Sequence, residues 1–303
     1  MRWQGRRQSS NIEDRRGNGG IGGFGAGTGP RIGMRLPGGR RGGGFSIGAV
    51  VVILVVGWLL GVNPLTLLGG LEGTGGGSLG TQQNGEIGAP TDEAGQFVAA
   101  VLADTEDTWG EIFANGGGQY AVPTLVLFTG ETSSACGYAS AASGPFYCPG
   151  DRKVYIDLAF YRELRDRFHA PGDFAQAYVI AHEVGHHVQN LLGVLGKVNA
   201  EQRRVAQVDA NRLQVLTELQ ADCFAGIWAN VADSKGLLEV GDIDEALNAA
   251  AQIGDDTLQK QAQGHVVPDS FTHGTAAQRS RWFKRGYASG DIDTCDTFAT
   301  ASI

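Results

Sequence analysis

Apolar positions repeat at helical spacing through most of the chain after residue 90, so the sequence predicts a mainly helical domain there. The first helix is predicted from Thr91 to Gly110, with Thr91 or Asp92 as its N-terminal cap. Its apolar positions are Phe97, Val98, Val101, Leu102 and Trp109. The same spacing predicts helices over residues 158–168, 199–232, 243–251 and 275–287.

Another helix is predicted after Pro171 and Gly172, with Asp173 as its cap and Gly193 closing it. Its apolar stripe has three- and four-residue spacing and consists of Phe174, Ala177, Tyr178, Ala181, Gly185 and Val188. If this stripe faces the core, His182, Glu183 and His186 lie along its edge, where a cleft can reach them.

Short β-branched and aromatic runs predict one small sheet beside the helices. Thr124–Phe128 is a strand, and residues 146–148 and 154–157 flank a Pro149-Gly150-Asp151 turn as a β-hairpin. The expected fold class is therefore α+β, mainly helical, with a small antiparallel sheet. Residues 154–157 are the expected sheet edge, to which an extended peptide can add as a strand.

Charge and composition set the first 44 residues apart. They hold nine arginines against Glu13 and Asp14, with abundant glycine and few large apolar groups. Such a segment buries too little surface to offset its ordering entropy, so residues 1–44 are predicted to form a disordered basic tail. Its net charge of +7 leaves −15 for the rest of a chain whose total is −8. Nucleic acid or anionic lipid could bind such a tail, but a solvated tail that sets membrane orientation is favoured, and no nucleic-acid partner is expected.

Residues 45–68 are nearly all apolar and uncharged, which predicts a transmembrane helix. Arginines before it and acids after it orient the N-terminus to the cytoplasm and the domain outside. A cleavable signal peptide is the alternative, but the run is long for one and no A-x-A site follows. Residues 69–90 are a Gly-rich linker, and residues 91–303 form the folded domain.

Four cysteines, in a domain predicted to lie outside the cytoplasm, favour two disulfides. Proximity along the chain favours pairing Cys136 with Cys148 and Cys223 with Cys295, out of three connectivities. A structural zinc site is the alternative, but the sequence has no C-x-x-C pair to support it.

The segment His182-Glu183-Val184-Gly185-His186 carries the H-E-x-x-H spacing of catalytic zinc sites, with two imidazoles one helical turn apart. Three fixed residues arise by chance in roughly one chain per hundred, so two ordinary surface histidines are the competing interpretation. The hypothesis therefore needs a third ligand. Glu218 can supply it, and Asp222, one turn later, can accept the second ring N–H of a ligand histidine. The alternative is a solvated acidic helix face, but the surrounding stretch is apolar enough to face the core.

These motifs are similar to those of the zincin peptidases whose third ligand is a glutamate. His273 and Arg279 resemble the H-P-x-x-x-x-R segment of HtpX-type membrane peptidases, although Gly274 replaces the proline. Over residues 90–300 the chain resembles the neutral zinc metallopeptidases of bacteria. The segments that carry the resemblance are C-G-Y, G-P-F-Y-C-P, V-Y-I-D-L, H-E-V-G-H-H-V-Q, E-L-Q-A-D-C-F-A-G and T-H-G-T-A-A-Q-R. The resemblance implies a single-pass membrane peptidase of the bacterial cell membrane with a zincin-like fold and one catalytic Zn²⁺.

The ligand set predicts the chemistry. Three protein ligands leave one zinc position for water, and Glu183 is the expected general base toward it. His273 is the first candidate for an oxyanion donor and Arg279 the second; otherwise the two only cap or solvate a C-terminal helix. The substrate would be a peptide or protein. A membrane-anchored zinc-binding scaffold with little hydrolysis is the alternative function, although Glu183 beside the metal argues against it.

Overall fold

The computed structural model describes residues 1–18, 85–140 and 143–299, which belong to one compact unit. The helices are α1 (Glu93–Asn115), α2 (Ala159–Asp166), α3 (Asp173–Leu191), α4 (Val194–Gln202), α5 (Gln207–Ser234), α6 (Asp242–Gln252), α7 (Asp255–Gln263) and α8 (Ala276–Ser289). The strands are β1 (Ile12–Asp14), β2 (Glu86–Ile87), β3 (Thr124–Phe128), β4 (Glu131–Ser134), β5 (Gly137–Ser140), β6 (Phe146–Cys148) and β7 (Lys153–Asp157). The predicted mainly helical α+β class is confirmed.

The main sheet is mixed, which corrects the prediction of an antiparallel sheet. Its strand order is β2-β1-β3-β7-β6. β3 is parallel to both β1 and β7, whereas the β1–β2 and β6–β7 pairs are antiparallel. Parallel neighbours need long connections, and the chain between β3 and β7 supplies one by first forming the β4–β5 hairpin and β6. β7 is consequently an interior strand, and the described edge beside it is β6, not residues 154–157 as predicted.

Residues 1–18 are part of this unit, so the prediction of a disordered tail is wrong for them. Ile12 is fully buried in the hydrophobic core, and β1 pairs with strands on both sides. Trp3 packs edge-on against Phe97 of α1, with ring centroids 5.5 Å apart. Arg7 and Arg16 bind carboxylates of α1 and of its cap Asp92, and Arg15 binds Glu13.

Residues 19–84 lie outside the described part of the chain. The predicted transmembrane helix over 45–68 and most of the predicted linker over 69–90 fall there, although β2 occupies the end of that linker. Within the described ranges, no helix is both long enough and apolar enough to cross a bilayer.

Most predicted helices are present with shifted ends, and two local predictions differ. The stretch 199–232 forms two helices, α4 and α5, separated by a turn that ends at the extended residue Ala206. Asp173 does not cap α3, because the cap position is Gly172, with φ of 118°, and Asp173 is already helical. Glu245 of α6 instead accepts the free N–H of Phe174 at 3.1 Å. Asp92 does cap α1, through the N–H of Gly95.

Both disulfides of the predicted pairing are present. Cys136 joins Cys148, which ties β6 to the β4–β5 hairpin. Cys223 joins Cys295, which ties α5 to the C-terminal segment after α8. Helices α5 and α8 also cross closely, because Gly226 and Gly286 each face the backbone of the other helix where a methyl group would not fit. This crossing fixes α8 against the middle of α5.

Candidate metal centre

Helices α3 and α5 meet at their small residues. A methyl group on Gly185 would lie only 3.0 Å from the Ala221 carbonyl oxygen and 3.1 Å from Ala221 Cα. The Gly of H-E-V-G-H and the Ala of E-L-Q-A-D therefore let the two helices approach closely. This approach brings the residue types that flank them, two histidines and two carboxylates, into one buried cluster.

The three predicted metal ligands converge. Ligand atoms of His182, His186 and Glu218 all lie within 4.8 Å of one another. Glu218 Oε2 is 3.1 Å from His182 Nε2 and 3.4 Å from His186 Nε2. Ligands about 2.1 Å from a tetrahedral zinc ion are about 3.4 Å apart, so these separations fit a zinc ion. Two imidazole nitrogens and one carboxylate form a donor set that zinc accepts.

Hydrogen bonds hold both imidazoles with Nε2 toward the centre. His182 Nδ1 donates to Asp222 Oδ1 at 2.9 Å, the contact that the sequence predicted for Asp222. His186 Nδ1 donates to Gln189 Oε1 at 2.9 Å. The Gln189 amide is oriented in turn, since its Nε2 donates to Thr217 O at 2.7 Å. Each ligand histidine therefore has its own acceptor, which selects the tautomer that leaves Nε2 available.

Two glutamine side chains orient the candidate ligands, and the sequence analysis did not identify either of them. Gln189 lies three residues after His186 on the buried side of α3, and Gln214 lies one turn before Glu218 on α5. Gln214 Nε2 donates to Glu218 Oε1 at 2.8 Å, so the other carboxylate oxygen faces the histidines. Their sequence spacing could have identified them, because residues three or four positions apart on a helix lie on the same face.

Arg279 is not placed as an oxyanion donor. It is fully buried, and its Nε and Nη2 donate to the two oxygens of Asp222 at 2.8 and 3.0 Å. Nη2 also donates to the Tyr178 hydroxyl at 3.1 Å, and Nη1 donates to the Ile253 carbonyl at 3.3 Å. Tyr178 donates to Asp222 Oδ1 at 2.5 Å. The Arg279 guanidinium therefore binds the Asp222 carboxylate, which in turn orients His182.

His273 lies in the cavity wall with its side chain half exposed. Asp255 at the start of α7 organises this loop, because its Oδ2 accepts the backbone N–H groups of Thr272, His273 and Gly274 at 2.6–2.9 Å. Its Oδ1 lies 3.2 Å from His273 Nδ1. Gly274 has φ of 89° and donates its N–H, and proline can do neither. This geometry explains why Gly274 stands where the HtpX-type segment has proline.

A cavity of about 560 Å³ opens onto the cluster. His182, Glu183, His186, Glu218, His273 and Arg279 all line it. Glu183 is 7% exposed, and burial raises the pKa of its carboxyl group. Its carboxylate accepts no hydrogen bond from the residues that the structure describes, which leaves it free to face a molecule in the cavity.

The buried charges of the cluster depend on one another. Burial lowers the pKa of His182, but Asp222 and Glu218 raise it by more, to about 10. Burial raises the pKa of Asp222, but Arg279 and His182 lower it to about 2. Without a metal ion, the proton on His182 offsets part of the negative charge of Glu218 and Asp222. A divalent cation held by His182 Nε2 and Glu218 would displace that proton and balance the same carboxylates.

Comparison with known proteins agrees with this chemistry. The chain matches the family described as "Putative neutral zinc metallopeptidase" over residues 1–298. It is 52% identical over 299 residues to the uncharacterized protein YpfJ of Escherichia coli strain K12, a match that covers 98% of this chain and 99% of that protein. It is 47% identical over 195 residues to the uncharacterized protein Rv2575 of Mycobacterium tuberculosis strain H37Rv, covering 61% of this chain and 65% of that protein. No solved structure matches the chain. Because the family match spans nearly the whole sequence, the chain belongs to the family of putative neutral zinc metallopeptidases.

Proposed function

We propose that this chain is a zincin-like peptidase in which His182, His186 and Glu218 hold one zinc ion. The observation that carries the proposal is a buried two-histidine, one-carboxylate donor set that opens onto a cavity beside an unpaired glutamate. When bound, zinc supplies an activated water and polarises the scissile carbonyl. Three protein ligands are typical of a catalytic rather than a structural zinc site.

Glu183 is the general base in this proposal. It lies between the two ligand histidines in sequence, and it shares the cavity wall with them. From there the carboxylate can take the proton of the attacking water and return it to the leaving amine. The cavity is where both the water and the scissile bond must lie, so one residue can serve both proton transfers.

His273 is proposed to donate a hydrogen bond to the developing oxyanion. Asp255 lies against Nδ1 and holds the loop by three backbone N–H groups, so Nε2 is the ring atom left for a ligand. Burial lowers the pKa of His273, but the hydrogen bond that His273 donates to Asp255 and the charge of Glu218 raise it by more, which favours the protonated donor. Arg279 acts one step away, as a positioning residue that holds Asp222 and thereby the His182 ring.

Peptide or protein substrates are proposed to bind at β6. This strand is at the described edge of the main sheet, and Phe146 and Tyr147 line the cavity. An extended peptide that adds to such an edge pairs its backbone with the strand. The substrate backbone would then run along the cavity, past Glu183. Attachment to a bilayer through residues 45–68 is part of the same proposal and rests on their apolar sequence.

The decisive experiment compares Glu183→Gln with Glu163→Gln in the full chain. Both changes replace a glutamate that lines the cavity, but Glu163 is exposed and lies on α2, which carries none of the candidate ligands. Glu183→Gln should keep stoichiometric zinc and lose at least about a hundredfold in cleavage of an unfolded protein. Glu163→Gln should cleave at the wild-type rate, and a chelator should stop it.

Two results would contradict this function. Turnover near the wild-type rate in zinc-loaded Glu183→Gln would remove Glu183 from the role of base. A zinc-loaded wild-type protein that cleaves no unfolded protein or peptide would favour the zinc-binding scaffold instead. Zinc content by elemental analysis separates both results from simple loss of metal.

A further inference from the structure

The described chain stops shortly after β1 and resumes just before β2, and these two strands are neighbours in the sheet. Strand β1 pairs with β2 antiparallel, with Glu13 opposite Ile87 and Asp14 opposite Glu86. Gly85, the first described residue after the gap, donates its N–H to Glu13 Oε1 at 3.2 Å. The two ends of the segment 19–84 are therefore joined by a hydrogen-bonded ladder.

β1 is an interior strand and not a loose addition. On its other side it runs parallel to β3, with Ile12 opposite Leu125 and Asp14 opposite Leu127. Glu13 is buried and binds Lys153 Nζ of β7 at 2.6 Å. Residues 12–14 therefore join β2 to the rest of the sheet.

Two arginines of residues 1–18 bind carboxylates of the same unit. Arg7 donates to the Glu106 and Asp107 carboxylates of α1 at 3.0 and 2.7 Å. Arg16 binds Asp92, the cap of α1, through two hydrogen bonds at 3.0 and 2.6 Å. Because Arg7 and Arg16 contact carboxylates of the domain, they must lie on the same side of a membrane as the domain.

We infer that residues 1–18 and 85–299 lie on the same side of any membrane that residues 45–68 enter. A ladder between β1, β2 and β3 cannot form across about 30 Å of hydrocarbon. A single crossing by residues 45–68 would place the partners on opposite sides. Two crossings need about 40 apolar residues, more than this run provides, so the attachment is to one face of the bilayer. The disulfides place that face outside the cytoplasm.

This inference rests on the proposed membrane attachment and is independent of peptidase activity. Its first test is labelling of single cysteines in intact cells with a membrane-impermeant maleimide. Ser10→Cys reports on residues 1–18, and Val240→Cys reports on the loop before α6; both positions are exposed, and all four native cysteines are in disulfides. The protein should be recovered with membranes, and both variants should be labelled equally before and after permeabilisation.

Labelling of Val240→Cys in intact cells, with Ser10→Cys labelled only after permeabilisation, would overturn the inference. Recovery of the wild-type chain in the soluble fraction would overturn the attachment on which it rests. Protection of both cysteines until permeabilisation would keep the two parts on one side but contradict the extracytoplasmic assignment.

A second test asks whether residues 1–18 are in the sheet of the purified full chain. Ile12→Asp places a charge at a fully buried core position, whereas Ser10→Asp makes the same change at an exposed neighbour. Ile12→Asp should lower the Tm of the domain by many degrees or prevent its folding, and Ser10→Asp should leave the Tm unchanged. Equal Tm values for the two variants would show that β1 is not docked and would overturn the inference.

Discussion

Asp222 orients the His182 ring and also balances the charge of the buried Arg279. Asp222→Asn is therefore the most informative single change. Its carboxylate accepts from His182 Nδ1, from Arg279 twice and from Tyr178. An amide of the same size can accept some of these bonds, but it cannot balance the buried guanidinium. The variant therefore separates the electrostatic role of Asp222 from its shape.

The expected magnitude follows from burial. Asp222 and Arg279 are 0% and 2% exposed, and removing one partner of such a buried pair costs about 3–5 kcal/mol in the free energy of unfolding. For a domain of this size each kcal/mol shifts the Tm by about 2–4 °C, so a fall of roughly 6–20 °C is expected. Zinc affinity should fall about 10- to 100-fold, because the His182 ring loses a charged acceptor.

The assay is urea unfolding of the metal-free protein, followed by a competitive zinc titration. Asp233→Asn is the matched control, since Asp233 lies on the same helix but is exposed, and it should change the unfolding free energy by less than about 0.5 kcal/mol. Adding Arg279→Met to Asp222→Asn removes the stranded charge. The double variant should therefore be more stable than Asp222→Asn by roughly 1–3 kcal/mol.

An unfolding free energy for Asp222→Asn within about 1 kcal/mol of wild type would refute this reasoning. A double variant less stable than Asp222→Asn would show that Arg279 stabilises the domain through Tyr178 and Ile253 rather than through Asp222.

Three further predictions concern the candidate ligands and the loop at His273. Glu218→Ala should lose stoichiometric zinc while Gln214→Ala weakens it only about 10- to 100-fold, and retained zinc in Glu218→Ala would mean that another residue is the third ligand. His273→Ala should lower kcat by roughly 10²- to 10³-fold with zinc content and KM nearly unchanged; full activity in the zinc-loaded variant would exclude the residue. Because Asp255 raises the pKa of His273, Asp255→Asn should move the alkaline fall in activity to lower pH, and an unmoved profile would contradict the pairing.

The ligand set could be predicted from the sequence because its geometry is local. His182 and His186 are one turn apart on α3, and Glu218 and Asp222 are one turn apart on α5. The only long-range step is the meeting of the two helices. Gly185 and Ala221, which lie inside the two motifs, make that approach close enough. Each motif therefore contains both its candidate ligands and the small residue that allows the two helices to approach closely.

The roles of Arg279 and Asp255 could not be predicted in the same way. Arg279 reaches Asp222 because α8 crosses α5 at Gly226 and Gly286, a crossing that no local pattern encodes. Asp255 looks like one more acid at the start of a helix, and only the folded chain places it against the N–H groups of the loop at His273. Residues whose partners lie on other elements need tertiary structure to be assigned.

Composition misled the interpretation of the N-terminus for a related reason. The average over residues 1–44 is dominated by glycine and arginine, and it conceals the apolar residues of the first 18, such as Trp3 and Ile12. The rule that relates arginines to membrane orientation counts those in short loops within about 15–20 residues of the membrane segment. Arg7 and Arg16 are bound to α1 and its cap. The arginines left to orient residues 45–68 are therefore those nearer to them in sequence, at positions 31, 35, 40 and 41, and these lie between two parts of one folded unit. The arginines before this segment and the acids after it thus lie in one folded unit or between its parts, so the charge difference across the segment predicts no difference in location between those parts.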